Sequence, residues 1–148
     1  MVTPLPATPP QPHSPPPPAN SGQALVLVVE DNPDNLLTAI ALLDGHYQII
    51  TAQDGKVGLE QARLHHPDVI LTDISMPVMD GFDTLDAIRN DATLRHTPVI
   101  AVTASAMKGT REEILARGFD NYISKPIDHD TLHRTLHELL IGNQHVKP

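Results

Sequence analysis

The segment Val69 to Gly81, VILTDISMPVMDG, is an apolar run that stops abruptly at Asp73 and gives way to Ser75, Met76-Pro77 and Asp80-Gly81. A short buried strand followed at once by turn and helix-start residues constrains the fold strongly. Strands that are apolar throughout, rather than in alternation, are covered on both faces and belong to parallel sheets. The stretches around Val26 and Ile100 share this character. Asp73 therefore stands just past a strand buried on both faces, and the rest of the chain can be read outward from it.

The pattern predicts strands at Ala24 to Val29, Tyr47 to Thr51, Asp68 to Thr72, Pro98 to Thr103 and Asn121 to Ser124. Between them fall helices near Pro33 to Asp44, Lys56 to His66, Phe82 to Asp91, Met107 to Arg117 and Asp128 to Ile141. Asn32-Pro33 reads as a helix start, and Gly45, Gly118 and Gly142 read as residues just past helix ends. Five strands alternating with five helices imply an α/β fold, an open parallel sheet covered on both faces. Gly58 falls inside the second helix, where it costs about 1 kcal/mol relative to alanine; close packing on the sheet would explain it.

Residues 1–22 hold nine of the fifteen prolines, including Pro15-Pro16-Pro17-Pro18, and no Asp, Glu, Lys or Arg. Such a segment cannot offset its ordering entropy by burial, so an extended tail or linker is expected, with 23–142 as the one folded domain and 143–148 as a short tail. Its PxxP spacings would also suit a proline-binding module. No second catalytic or DNA-binding domain is expected within 148 residues. The formal charge of −8 falls entirely outside the tail and disfavours a nucleic-acid partner. With no cysteine, no secretory signal and no apolar run long enough for a membrane helix, a soluble, cytoplasmic protein without membrane contact is expected.

Ligand sites in open parallel sheets lie beyond the carboxyl ends of the strands. Those ends read Glu30-Asp31, Asp73, Thr103 and Lys125. Three carboxylates meeting there would repel by roughly 1–4 kcal/mol per pair at 4 Å, which a divalent cation relieves. Hard oxygen donors suit Mg²⁺, with Asp31 and Asp73 as direct ligands, Glu30 acting through water, and the Ser75 backbone carbonyl completing the protein's share. A carboxylate attacking a phosphoryl group needs cations and donors placed in advance: Mg²⁺ and Lys125 supply charge, and Thr103 a hydroxyl. Taken singly, Asp31, Asp73 and Asp80 each read as a helix N-cap and Lys125 as a solvated lysine. Their convergence favours a phosphoryl site, with Asp73 as acceptor.

Four motifs carry a resemblance: VVEDN at Val28 to Asn32, DISMPVMDG at Asp73 to Gly81, TASA at Thr103 to Ala106 and YISKP at Tyr122 to Pro126. With gaps of 30 residues from Asp73 to Thr103 and 22 from Thr103 to Lys125, the chain resembles the receiver domains of bacterial two-component response regulators over about residues 24–142. The resemblance implies a flavodoxin-like sheet of order 2-1-3-4-5, and receivers of the hybrid-kinase type look close. It further implies that Asp73 takes a phosphoryl group from a phosphohistidine on a histidine kinase or a histidine phosphotransfer protein. Glu30 and Asp31 would be the acidic pair for Mg²⁺, Thr103 and Lys125 the phosphate-sensing pair, and Ala104 the small residue giving access. Tyr122 would be the aromatic that turns inward as Thr103 moves, and Ser75 and Ser105 sit where such domains tune phosphate lifetime.

Phosphorylation replaces one carboxylate charge by about −1.5 to −2 and three acceptor oxygens. Thr103 and Lys125 can bind those oxygens in one arrangement only, which biases a two-state loop. The expected readout, contacted by a downstream protein partner, is the face of the fourth helix, fifth strand and fifth helix. The domain would be a phosphoacceptor with at most slow self-dephosphorylation, not a turnover enzyme. A phosphate sink without output is an alternative. A haloacid-dehalogenase-type phosphatase would need an aspartate where Ser75 stands, and a flavodoxin-like carrier would meet the wrong charge at Glu30-Asp31-Asn32. His129, His133 and His137 recur every four residues and read as a solvated helix face, although the spacing also permits metal binding or a pH-sensitive face. His65-His66 reads as a frayed helix end.

Overall fold

In the computed structural model, residues 23–76, 78–104 and 108–146 are described. The expectations for the Pro-rich segment and for Pro77, Ser105, Ala106 and Met107 lie outside them. The order is β1 (Leu25–Val29), α1 (Pro33–Leu43), β2 (Gln48–Ala52), α2 (Gly55–His65), β3 (Val69–Asp73), α3 (Gly81–Arg89), β4 (Val99–Thr103), α4 (Lys108–Arg117), β5 (Asn121–Ser124) and α5 (His129–Val146). All strand pairs are parallel, in the order β2-β1-β3-β4-β5. This is the five-stranded parallel α/β sheet that the sequence pattern predicts, in the flavodoxin-like order that the family resemblance implies.

Successive side chains of a strand point to opposite faces, and each central strand feeds two cores. Leu27, Val29, Ile70, Val99 and Ala101 pack with Ala62 of α2, Leu85 and Ile88 of α3 and Ile114 of α4. Val26, Val28, Leu71, Ile100 and Val102 pack with Ala39 and Leu43 of α1 and with Leu132, Leu136 and Leu140 of α5. Gly58 lies against β1: a Cβ there would meet Val29 Cγ2 at 2.8 Å, so close helix-on-sheet packing accounts for a glycine within α2.

Helix ends follow local chemistry. The Asn32 side chain accepts from the Asp34 and Asn35 N–H groups, Asp80 accepts from Asp83 N–H, and Asp128 from Thr131 N–H. Asp80 is thus a cap, and α5 starts one residue later than expected because Asp128 caps it. Gly45 and Gly118 take positive φ after α1 and α4, as read from the sequence. Gly142 does not stop α5, which runs on to Val146. A glycine weakens a helix by about 1 kcal/mol without obliging it to end, and no proline follows before Pro148. The boundary drawn at 142 therefore falls inside a helix. His66 is an ordered left-handed cap with φ 49°, its N–H donated to the Ala62 carbonyl, rather than a frayed end. Asp91 lies beyond α3, in a turn it caps for Thr93. Among the described residues no helix is long and apolar enough to cross a membrane.

Candidate functional site

The strand order reverses between β1 and β3, and a crevice opens at their carboxyl ends. The apolar strands carry Glu30, Asp73 and Thr103 to that edge and bury all three; Asp73 is 5% exposed and is the last residue of β3 rather than the first beyond it. Asp31 follows Glu30 and is exposed. Neither Asp31 nor Asp73 caps a helix, in contrast to Asp80. Together with Ile74, Ser75 and Ala104, the Asp73, Thr103 and Lys125 side chains line a cavity of about 170 Å³.

Lys125 reaches this crevice from the far side of the sheet edge. Its backbone N–H donates to the Thr103 carbonyl, its peptide bond to Pro126 is cis, and its ammonium lies 3.0 Å from Asp73 Oδ2 and 3.2 Å from Glu30 Oε1. The solvated-lysine reading fails. Burial would lower the Lys125 pKa, but the hydrogen bonds and charges of Asp73 and Glu30 outweigh it and raise it. The Glu30 carboxyl is pushed up mainly by burial and further by the Asp73 carboxylate, against the lowering effects of the Asn32 N–H and Lys125. Two buried carboxylates thus share one ammonium.

Carboxylate oxygens of Glu30, Asp31 and Asp73 all come within 4.8 Å of one another. This all-oxygen donor set has the chemistry a Mg²⁺ ion accepts from protein. Glu30 has one oxygen on Lys125 and the other on Asn32 N–H at 3.1 Å, whereas Asp31 projects to solvent. That difference fits Asp31 as a direct donor and Glu30 as one acting through water. Ser75 N–H donates to Asp73 Oδ1 at 3.3 Å, which holds the start of the loop over the aspartate.

In the sequence Gly81 shows only as part of the Asp80-Gly81 turn signal. A Cβ at Gly81 would meet the Asp73 carbonyl oxygen and Ile74 Cα, each at 2.7 Å, and its N–H donates to the Ile74 carbonyl at 2.8 Å. The start of α3 is thus pressed directly on the backbone of the site. Tyr122 is half-buried, packs on the α2–α4 side of the sheet and accepts from Arg111 Nη1 at 3.2 Å.

Residues 26–137 match the family described as the response regulator receiver domain. The chain belongs to this receiver family. It is 46% identical over 103 residues to the polar-differentiation response regulator DivK of Brucella ovis, covering 69% of this chain and 84% of that protein. Among solved structures, the receiver domain of the sensor histidine kinase PA1611 of Pseudomonas aeruginosa, with a magnesium ion in its active-site cleft, superposes with a TM-score of 0.74 at 34% identity, over 80% of this chain and 98% of that one. The chemotaxis protein CheY4 of Vibrio cholerae gives 0.73 at 32% identity, over 80% of this chain and all of that one. The receiver's relatives thus include response regulators and a kinase receiver alike, and they do not single out the hybrid-kinase type. As a receiver, the chain acts in two-component signalling, a system of kinases and their downstream partners.

Proposed function

We propose that this receiver accepts a phosphoryl group on Asp73 from a phosphohistidine of a histidine kinase or a histidine phosphotransfer protein in the cytoplasm. The observation that carries the reading is the contact of the Lys125 ammonium with Asp73 Oδ2 on a cavity also lined by Thr103. An Asp73 carboxylate oxygen would attack phosphorus as the bond to the imidazole nitrogen breaks, leaving an aspartyl phosphate and a neutral imidazole. Glu30, Asp31, Asp73 and the Ser75 carbonyl would hold Mg²⁺, which when bound supplies positive charge against the phosphoryl oxygens. Lys125 would exchange its carboxylate partner for a phosphoryl oxygen, and the Thr103 hydroxyl would donate to another.

The same exchange offers a switch. Thr103 ends β4 and Tyr122 lies on the neighbouring β5, where Ala101 pairs with Tyr122 and Thr103 with Ser124. A shift of Thr103 toward the phosphate would free space for the Tyr122 ring, and turning the ring inward would break its bond from Arg111 of α4. The α4-β5-α5 face would then change for a downstream protein partner. The receiver works as a phosphoacceptor rather than a turnover enzyme: Ser75 stands where a phosphatase of the haloacid-dehalogenase class needs a carboxylic acid. Transfer of label from a phosphorylated histidine phosphotransfer protein in the presence of Mg²⁺ tests the reading. Label is expected on wild type and absent from Asp73→Ala; equal label on both would overturn it.

A further inference from the structure

His46, His129 and His133 form a cluster apart from the acidic crevice, with ring nitrogens that all come within 4.8 Å of one another. Two of them belong to the helical repeat seen in the sequence, on the first turns of α5. The third comes from the turn between α1 and β2, a neighbour that no helical spacing reveals. His133 is half-buried, which corrects the solvated-face reading. Its ring lies 4.3 Å from that of His129 and 4.9 Å from that of His46, and Tyr47 stacks on it at 5.8 Å. His137, the third member of the sequence repeat, is exposed and is not one of the three.

Two further contacts give the cluster the form of a ligand set. His133 Nε2 lies 2.8 Å from the Leu42 carbonyl, an acceptor only, so this nitrogen carries the proton and the other keeps its lone pair. His129 Nδ1 lies 3.3 Å from the Asp130 carboxylate, an acceptor only, so in this contact Nδ1 is the N–H donor and Nε2 keeps its lone pair. An imidazole whose second nitrogen donates to a carbonyl or carboxylate is the arrangement found behind metal-bound histidines. We propose that His46, His129 and His133 bind a zinc-class divalent cation through three imidazoles, with water in the fourth position.

Nitrogen donors at this spacing select the metal. Zn–N bonds of about 2.0–2.1 Å in a tetrahedral set place ligand nitrogens about 3.3 Å apart. The exposed His46 and His129 can close the remaining gap by side-chain rotation, while His133 is held by Leu42. Imidazole suits zinc, copper and nickel, whereas Mg²⁺ prefers the oxygens of Glu30, Asp31 and Asp73, so the two clusters take different ions. A bound ion would link the α1–β2 turn to α5, an element the proposed output face uses.

The test titrates the untagged full chain, stripped by chelator, with ZnCl₂ in excess Mg²⁺, and follows binding by calorimetry and by the visible absorption of Co²⁺ as a substitute. One equivalent of Zn²⁺ is expected despite the Mg²⁺. His46→Ala and His129→Ala, both at exposed positions, should each weaken it about tenfold or more, and His137→Ala should leave it unchanged. Absence of Zn²⁺ binding by wild type, or weakening in only one or neither of the two variants, would overturn the three-imidazole site.

Discussion

Lys125 Nζ lies 3.0 Å from Asp73 Oδ2, joining the end of β5 to the end of β3 across the intervening β4. The same ammonium is 3.2 Å from Glu30, so one cation holds two buried carboxylates at the switch point of the sheet. Removing it leaves like charges buried together without a counterion. Lys125→Ala should therefore destabilise the divalent-free protein by about 1–3 kcal/mol at neutral pH, below the full cost of orphaning a buried pair because the crevice is open to water. Adding Mg²⁺ should recover part of that loss. Urea denaturation with and without Mg²⁺ measures both effects.

Gly81 touches the backbone of Asp73 and Ile74, neither of which can rotate away as a side chain tip would. Gly81→Ala should cost about 1–3 kcal/mol through overpacking and displace Asp73 from Lys125. The expected result is a lowered urea midpoint together with slower phosphoryl acceptance. Unchanged stability would mean that α3 has room to move.

Val78 adopts φ 70° and is 84% exposed, in the loop between Asp73 and α3. A β-branched residue in the left-handed region carries strain of about 1–3 kcal/mol, and this one buries almost nothing in return. Val78→Gly should stabilise the protein by about 1 kcal/mol after the greater unfolded-state freedom of glycine is subtracted. A rise in the thermal midpoint checks it.

Asp91 is held below its ordinary 3.8, to about 2, by the Thr93 hydroxyl, then by Arg63 Nε at 2.8 Å and the Thr93 N–H. A folded-state value below the unfolded one means that its contribution is fully present above pH 3.8 and is lost as pH falls toward 2. An NMR titration of the Asp91 carboxyl carbon should give a midpoint near 2 in wild type, moving upward in Arg63→Ala. An unmoved midpoint would show that Thr93 alone sets it.

Much of this architecture was legible because buried parallel strands announce themselves. Val26 to Val29, Val69 to Leu71 and Val99 to Val102 are apolar without interruption, and Glu30, Asp73 and Thr103, at or within two residues of the ends of these runs, mark the edge where the crevice opens. The order of Glu30, Asp31, Asp73, Thr103 and Lys125 along the chain was enough to assemble the candidate site. What stayed hidden depends on contacts between distant elements or on the backbone itself. His46 reaches His133 only because the α1–β2 turn packs beside α5. The Gly81 contact follows from the approach of α3 to β3, and Gly142 misled because glycine permits a helix end without requiring one.

The proposed acceptor is the Asp73 carboxylate, and the acyl-phosphate bond formed there can be read directly. After phosphoryl transfer in Mg²⁺, borohydride reduction converts an aspartyl phosphate to homoserine, which peptide mass spectrometry locates. Homoserine is expected at position 73 in phosphorylated wild type and at no position in Asp73→Ala. Homoserine at another aspartate, or a phosphorylated protein with none at position 73, would contradict it.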